Sequence, residues 1–252
     1  MSEESIQSKN AAFGIDHPLI AVHHIERLRE CLLALGFNMT PIGKHPWGTS
    51  TSLAIFKGCL LEIMGIYDDS LLDEHAAGNF RFGRHVHTHL MEREGIALTA
   101  LHSVDTALDA ISAEASGLNI SGHLEFGRDV TLPDGRPDRT KTSLALMPDA
   151  EFPRLSFFLC QQHRRDLIEV AQWMEHPNSV CGNNNLTLKA CAEHQSTLRT
   201  KLEALYGDAI HIKEGFLVHT ANGTISVQTE NAIVNELGPL PDAVLTDNQP
   251  AI

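Results

Sequence analysis

Apolar positions along this chain switch between a strand period and a helix period, and the switch recurs. Leu19-Ile20-Ala21-Val22 is a short apolar run bounded by Pro18 and the polar pair His23-His24, as expected of a strand. Ile25, Leu28, Leu32 and Leu35 then recur at three- and four-residue steps, which predicts a helix with one apolar face. Gly36 follows directly and is placed to close that helix in a left-handed conformation. Residues 37–40 predict a second strand, His45-Pro46-Trp47-Gly48 a turn, 52–56 a third strand, Lys57-Gly58 a tight turn and 59–66 a fourth strand.

After a polar linker over 68–94 the order repeats. Gly95-Ile96 echoes Gly14-Ile15, residues 96–101 predict a strand, and Ser103 is a candidate N-cap. Val104, Leu108, Ile111 and Ala115 form an apolar helical stripe ending at Gly117. Three strands follow, at 123–126, 142–147 and 155–160, with the turn signal Asp134-Gly135 between the first two. Residues 169–185 make an irregular bridge. A third pass starts at Leu186-Thr187-Leu188, places Leu198, Leu202 and Leu205 on a helix closed by Gly207, and continues through 210–212. It ends in a hairpin over 216–228 around Ala221-Asn222-Gly223, where Asn-Gly tolerates positive φ.

Such strand–helix–three-strand units cannot cover their own apolar sheet face, so pairing them closes a curved sheet around a shared cavity. The expectation is an α+β fold of tandem βαβββ modules, with a cupped, mixed sheet and helices outside. Residues 1–13 form a flexible leader, 14–94 a first module with linker, 95–185 a second with bridge, 186–235 a third and partial one, and 236–252 a loose tail. All belong to one continuous assembly.

Composition narrows the function. A formal charge of −13 without a basic stripe argues against a nucleic-acid partner. No apolar run is long enough to span a bilayer, and no secretory signal opens the chain. Five cysteines without CxxC spacing fit free thiols in a reducing cytoplasm. Fifteen histidines raise the prior for metal or acid–base chemistry.

Glu62 is the sharpest candidate. Strand alternation puts it on a face with Leu60 and Met64, where a carboxylate needs an ion-pair partner or a metal. His17 opens the first strand, and Asp16 beside it can orient its imidazole. His45 and Trp47, in the turn at the rim, are candidates to contact substrate. His85, His87 and His89 alternate in GRHVHTHL, which on a strand would share a face and on a helix would leave only His85 and His89 as neighbours. A solvated connecting helix is the expectation there. Cys160 and His163 could make a thiolate pair, but a cysteine on an apolar strand is more often core.

IDHPLIAV with LALGF, GKHPWGT, LLEIMGI, REGIALTAL and SFFLCQQH followed by EHPNS together resemble the vicinal oxygen chelate superfamily, in particular its glyoxalase-like members. The resemblance covers most of residues 14–190 in patches. It implies paired modules holding one divalent ion (Zn, Mn, Fe or Ni), with ligands on first and fourth strands, where His17 and Glu62 stand. Glu62, His163 and His45 are the candidate catalytic residues, and His45, Trp47, Thr49 and Thr51 the candidate substrate contacts. The first strand of the second module offers no strong ligand among Ile96, Ala97, Leu98 and Thr99. His163 and His176 are therefore the candidates to complete a set of His17, Glu62, His163 and His176. A metal-dependent lyase, isomerase or ring-cleaving dioxygenase acting on a small oxygenated substrate is the leading expectation. The alternative is a metal-free small-molecule binding protein gripping an apolar ligand with Trp47, Phe82 and Trp173. A homodimer through sheet edges is compatible with either. The discriminating feature is whether His17 and Glu62 face one another.

Overall fold

The computed structural model describes residues 13–240 and 249–252. The first module runs β1 (Ile15–Ala21), α1 (Ile25–Ala34), β2 (Gly43–Lys44), β3 (Thr49–Phe56) and β4 (Cys59–Ile66). A linker with two short strands, β5 (Ala76–Ala77) and β6 (Phe80–Arg81), leads into α2 (Phe82–Glu92). The second module comprises β7 (Gly95–His102), α3 (Thr106–Ala115), β8 (Gly122–Phe126), a protruding hairpin β9 (Asp129–Thr131) and β10 (Pro137–Arg139), then β11 (Thr142–Met147) and β12 (Phe157–Gln162). A short helix α4 (Ala171–Met174) lies in the bridge. The third module is β13 (Asn185–Lys189), α5 (Ala192–Tyr206), β14 (Ile210–Ile212), β15 (Gly215–Thr220), β16 (Gly223–Gln228) and α6 (Glu230–Leu237).

The first two modules share one curled eight-stranded sheet, in the order β2-β3-β4-β1-β7-β12-β11-β8. Reading outward from the central β1–β7 pair, both halves run first, fourth, third, second strand. β1 lies antiparallel to β7, while β4 and β12 lie parallel to β1 and β7. The two modules are thus related by an approximate twofold through the antiparallel pair. The third module repeats the same order in a sheet of its own, β13-β16-β15-β14, so the pass expected to be partial is a whole βαβββ unit.

Each face of the large sheet is covered by different elements. On the concave face, Phe82, Val86 and Leu90 of α2 pack against Leu19, Leu98, Ala100 and Phe158. Nearer β3 the same face is closed by Ile168, with Trp173 and Met174 packed against it. On the convex face, Ile25 of α1 meets Ala54, Phe56 and Ile63, and α5 buries Leu198, Leu202 and Leu205 against Leu101, Ala145 and Leu159. α5 therefore sits between the large sheet and the third module's sheet. A pair of hydrogen bonds adds to this join: the Ile15 N–H donates to Asn222 Oδ1 at 2.8 Å, and Asn222 Nδ2 donates to the Ile15 carbonyl at 2.9 Å.

Several local expectations are corrected. Residues 37–40 form no strand; Phe37 instead packs its ring near Phe56 and His176, and the short strand falls at Gly43–Lys44. The stripe on α3 faces water: Val104 is 77% exposed, Leu108 63% and Ile111 62%, while Thr106, Ala110 and Ala113 are buried. Small side chains let that helix lie close to the sheet, and proximity there outweighs the bulk of its other face. Its N-cap is Asp105, which accepts from the N–H groups of Ala107 and Leu108, whereas Ser103 donates to Asp109 at 2.5 Å. The β15–β16 turn uses Ala221-Asn222 without positive φ, since Asn222 is held by Ile15. The chain end is not loose throughout: Ala251 is buried and exchanges backbone hydrogen bonds of 2.7 and 3.1 Å with Lys189. Leader residues 1–12 and tail residues 241–248 lie outside the described residues, and Phe13 is already core.

Candidate functional site

The backbone of β1 prepares the site. Its register against β7 shifts by one residue between Ile15 and His17, so Asp16 sits in a bulge. The bulge lets Asp16 bond to its own neighbour: Asp16 Oδ1 lies 2.7 Å from His17 Nδ1. The other imidazole nitrogen, Nε2, lies 3.0 Å from Glu62 Oε2. The two residues do face one another. On β4 Glu62 points into the cup between Leu60 and Met64, all three lining one cavity. Its second oxygen, Oε1, accepts a short hydrogen bond from Thr51 Oγ1 on the adjacent strand.

Behind this pair the charges continue. Arg165 Nη1 donates to Asp16 Oδ2 at 2.9 Å, and Arg165 Nε donates to Glu169 at 2.5 Å. Asp16 is fully buried, and an isolated carboxylate there would be costly; His17 and Arg165 together hold it ionised against that burial. Burial by itself favours a neutral His17, but two carboxylates outweigh it and raise the imidazole to about 9. Burial likewise opposes the Glu62 charge, and the His17 contact outweighs it, lowering the carboxyl to about 2. His17 and Glu62 thus form an imidazolium–carboxylate contact at neutral pH.

His45 and Trp47 line the same cavity. His45 stacks on Trp47 with ring centroids 4.9 Å apart, and its Nδ1 lies 2.9 Å from Thr49 Oγ1. Burial, then the nearby Arg128 cation, lowers its pKa to about 3, so this ring stays neutral. Thr49 and Thr51 thus reach the site through His45 and Glu62. The cavity has a volume of about 40 Å³, close to one water's share of liquid volume, about 30 Å³.

Two expected members of the set lie elsewhere. His163 follows β12 on the convex side, exposed, with Nε2 2.8 Å from Ser143 Oγ. His176 is buried, but its Nδ1 accepts from the Asn38 N–H at 2.8 Å and its Nε2 lies 2.8 Å from the Ile55 carbonyl. Both its ring nitrogens serve the backbone at the join between the bridge and β3. Cys160 faces the cavity and His163 does not, so no thiolate pair forms, and burial pushes the Cys160 thiol well up. GRHVHTHL is helical, with His85 Nε2 3.0 Å from the Ala97 carbonyl and His89 buried four residues on.

The fold's own symmetry shows why the set is short. The repeat of Gly14-Ile15 in Gly95-Ile96 puts Leu98 at the place of His17. The parallel registers, Leu19 opposite Glu62 and Ala100 opposite Phe158, put Phe158 at the place of Glu62. Phe158 indeed meets the His17 ring edge-on, with centroids 5.7 Å apart. The donors present, an imidazole oriented by a buried carboxylate and a second carboxylate, suit a divalent transition ion as two of its ligands. Among the described residues no third histidine, cysteine or carboxylate comes within 4.8 Å of both; the one trio at that spacing is Cys191, Glu193 and His194, in the third module.

Comparison with known proteins agrees with this architecture. A family model described as a glyoxalase-like domain matches residues 15–205. The chain belongs to that glyoxalase-like family. No curated protein matches the sequence. Among solved structures, a hypothetical protein from Staphylococcus aureus aligns with TM-score 0.68 at 12% identity, covering 86% of each chain. A mutant of 4-hydroxymandelate synthase from Streptomyces coelicolor aligns with TM-score 0.53 at 12% identity, over 96% of this chain and 69% of that one. A xylose isomerase-like TIM barrel/4-hydroxyphenylpyruvate dioxygenase fusion protein aligns at 0.52 and 14%, over 93% of this chain and 36% of that one. At these identities the likeness is one of fold. No helix among the described residues is long and apolar enough to cross a membrane.

Sequence reasoning reached His17, Glu62, His45 and Trp47, and missed Arg165, Glu169 and Arg128. The first two lie in an irregular segment after β12, where periodicity says nothing about what a side chain touches. Arg128 stands between β8 and the protruding hairpin, where a charged residue is the usual surface pattern.

Proposed function

We propose that this protein is an enzyme of the vicinal oxygen chelate type, acting on a small oxygenated molecule at the His17–Glu62 pair. A divalent ion would be held by His17 Nε2 and Glu62, with two neighbouring oxygens of the substrate completing its shell. The observation that carries the reading is the 3.0 Å approach of these two groups inside a closed cup, with Asp16 behind the imidazole. When bound, such an ion supplies Lewis acidity for an enolate or oxyanion, as isomerases, lyases and ring-cleaving dioxygenases require.

The chain's own residues do the rest. Asp16 fixes the His17 ring and its tautomer, and Arg165 keeps Asp16 ionised. Thr51 fixes the Glu62 carboxylate by donating to Oε1. The neutral His45, clamped by Trp47 and Thr49, presents a ring that can donate or accept a hydrogen bond without adding charge to the cup. Because His17 holds its proton up to about 9, an ion must displace that proton. Two protein ligands in competition with a proton make a weak site until substrate oxygens arrive.

Elemental analysis after exhaustive dialysis tests this, with and without oxalate as a probe carrying neighbouring oxygens. Wild type should retain about one equivalent of ion with oxalate and far less without it. Glu62→Gln and His17→Ala should retain little under either condition. A wild type that takes up no ion even with oxalate would return the chain to the metal-free binding alternative.

A further inference from the structure

Arg128 is buried at its Nε without a hydrogen-bond acceptor, and its guanidinium makes no ion pair among the described residues. What is bonded is its backbone, whose N–H donates to Thr140 Oγ1 at 3.0 Å. Guanidinium groups leave water readily only for carboxylates, phosphates or aromatic faces, so an unpaired one in a cavity wall is unusual. A second unpaired group lies in the same wall. Trp47 is 1% exposed, and its Nε1 also has no acceptor. Both groups are donors with no acceptor capacity. The carboxylate already in the cup is taken, because Glu62 is engaged by His17 and Thr51.

Position adds to chemistry. Arg128, Leu53 and Ile168 line the small cavity at His17 and Glu62, and the same three residues line a neighbouring groove of about 560 Å³. The inner cavity alone holds little more than a water, whereas the groove is in the range of small-molecule sites. Apart from Arg128, the groove's cations are Lys44, which lies over the Tyr67 ring, and Arg139, which is paired with Asp129. Arg128 is thus the cation at the threshold whose guanidinium has no hydrogen-bonded or ion-paired partner among the described residues, with only the Glu62 charge acting on it through space. Apolar walls come from Ile55, Ile168 and Trp173.

We propose that Arg128 is the anchor for a carboxylate on the substrate, with the substrate's apolar body in the groove and its reacting oxygens toward His17 and Glu62. The substrate class is therefore a small carboxylic acid with an apolar or aromatic body and a second oxygen function. A guanidinium fork offers two parallel hydrogen bonds to a carboxylate, which a neutral amide of the same shape cannot match. The orientation rests on the function proposed above; the anion site does not, because the Arg128 guanidinium makes no hydrogen bond or ion pair with His17 or Glu62.

Binding of phenylacetate and of its neutral isostere phenylacetamide to EDTA-treated protein tests the site. The chain has two tryptophans, Trp47 and Trp173, and they line the cavity and the groove, so intrinsic fluorescence reports binding directly. Phenylacetate should bind about tenfold or more tightly than the amide. Arg128→Met should abolish that preference while leaving the weak amide binding in place, and Arg128→Lys should restore part of it. Arg128→Met should also hold the thermal midpoint of the ligand-free protein, since it removes a half-buried guanidinium whose Nε has no acceptor. Equal binding of acid and amide, no carboxylate binding at millimolar concentration, tighter binding of inorganic phosphate than of phenylacetate, or a sharply lowered midpoint in Arg128→Met would each overturn the proposal. Since metal is absent throughout, failure here is separable from failure of the oxalate experiment.

Discussion

The two halves of the eight-stranded sheet have one topology and opposite chemistry. In the first half the positions that look into the cup carry His17 and Glu62; in the second, the same positions carry Leu98 and Phe158. Both pairs are buried, and both meet neighbours across the central strands. The difference is what each demands of its surroundings. Leu98 and Phe158 need only volume, which α2 fills with Phe82, Val86 and Leu90. His17 and Glu62 need each other, and beyond that Asp16, Thr51, Arg165 and Glu169. A backbone repeat therefore sets where a reactive pair can stand, and a handful of supporting residues decides whether it does. One half has kept a polar chain several residues deep, while the other is a plain hydrophobic layer.

Making the first half resemble the second is the harshest test. Glu62→Met alone strands a buried imidazolium against one carboxylate and should cost about 3–5 kcal/mol in urea unfolding. Adding His17→Leu should recover much of that loss, because the polar partner is then gone as well. Additive losses in the double variant would show that the pair is not an energetic unit.

The opposite change sharpens the comparison from the other side. Phe158→His puts a third donor at the place the symmetry assigns, next to the His17 ring. Zinc affinity, measured by competition with a chromophoric chelator, should rise by about tenfold or more relative to wild type without any substrate. Unchanged affinity would mean that the second half does not point at the same centre.

Titration separates the reactive pair from its neutral neighbours. His17 is raised from 6.5 to about 9, so in metal-free protein its stabilisation is full below 6.5 and is lost as pH climbs through about 9. His45 and His89 are lowered from 6.5 to about 3 and about 4, so their contribution is full above 6.5 and is lost as pH falls through those values. Glu62, lowered from 4.5 to about 2, adds to the acid loss only below 4.5. The thermal midpoint of EDTA-treated protein should therefore peak near 6.5, and His45→Gln should flatten the acid limb alone. A midpoint still rising above pH 8 contradicts the His17 assignment.

The histidines outside the cup give the mildest effects. His176→Ala leaves the Asn38 N–H and the Ile55 carbonyl without their partner and should cost about 1–3 kcal/mol, with no change in metal uptake. His163→Ala removes an exposed contact to Ser143 and should stay within about 0.5 kcal/mol of wild type. A loss of metal in either variant, measured by elemental analysis with oxalate present, would place that histidine in the site after all.

Much of this was legible from residue order. Alternation in residues 59–66 placed Glu62 inward, Gly36 adopts the left-handed φ of 81° its position required, and the recurrence at Gly95 announced the second module. The α3 stripe misled because periodicity identifies a face without saying which face the sheet prefers; there, close packing of alanines won. His163 and His176 misled because each follows or precedes a regular element, where one residue of register moves a side chain to the other face of a sheet.

By itself the sequence determined the module grammar and the one polar pair inside it, since strand and helix periods, turn residues and a carboxylate among apolar neighbours are local signals. Tertiary structure alone decided which charges support that pair and which cation faces a cavity unpaired. Arg165 is 149 residues from Asp16, and Arg128 meets Glu62's cavity only because two modules close one sheet. Such contacts depend on the register and curvature of distant strands, and these are properties of the folded assembly, not of any stretch of chain.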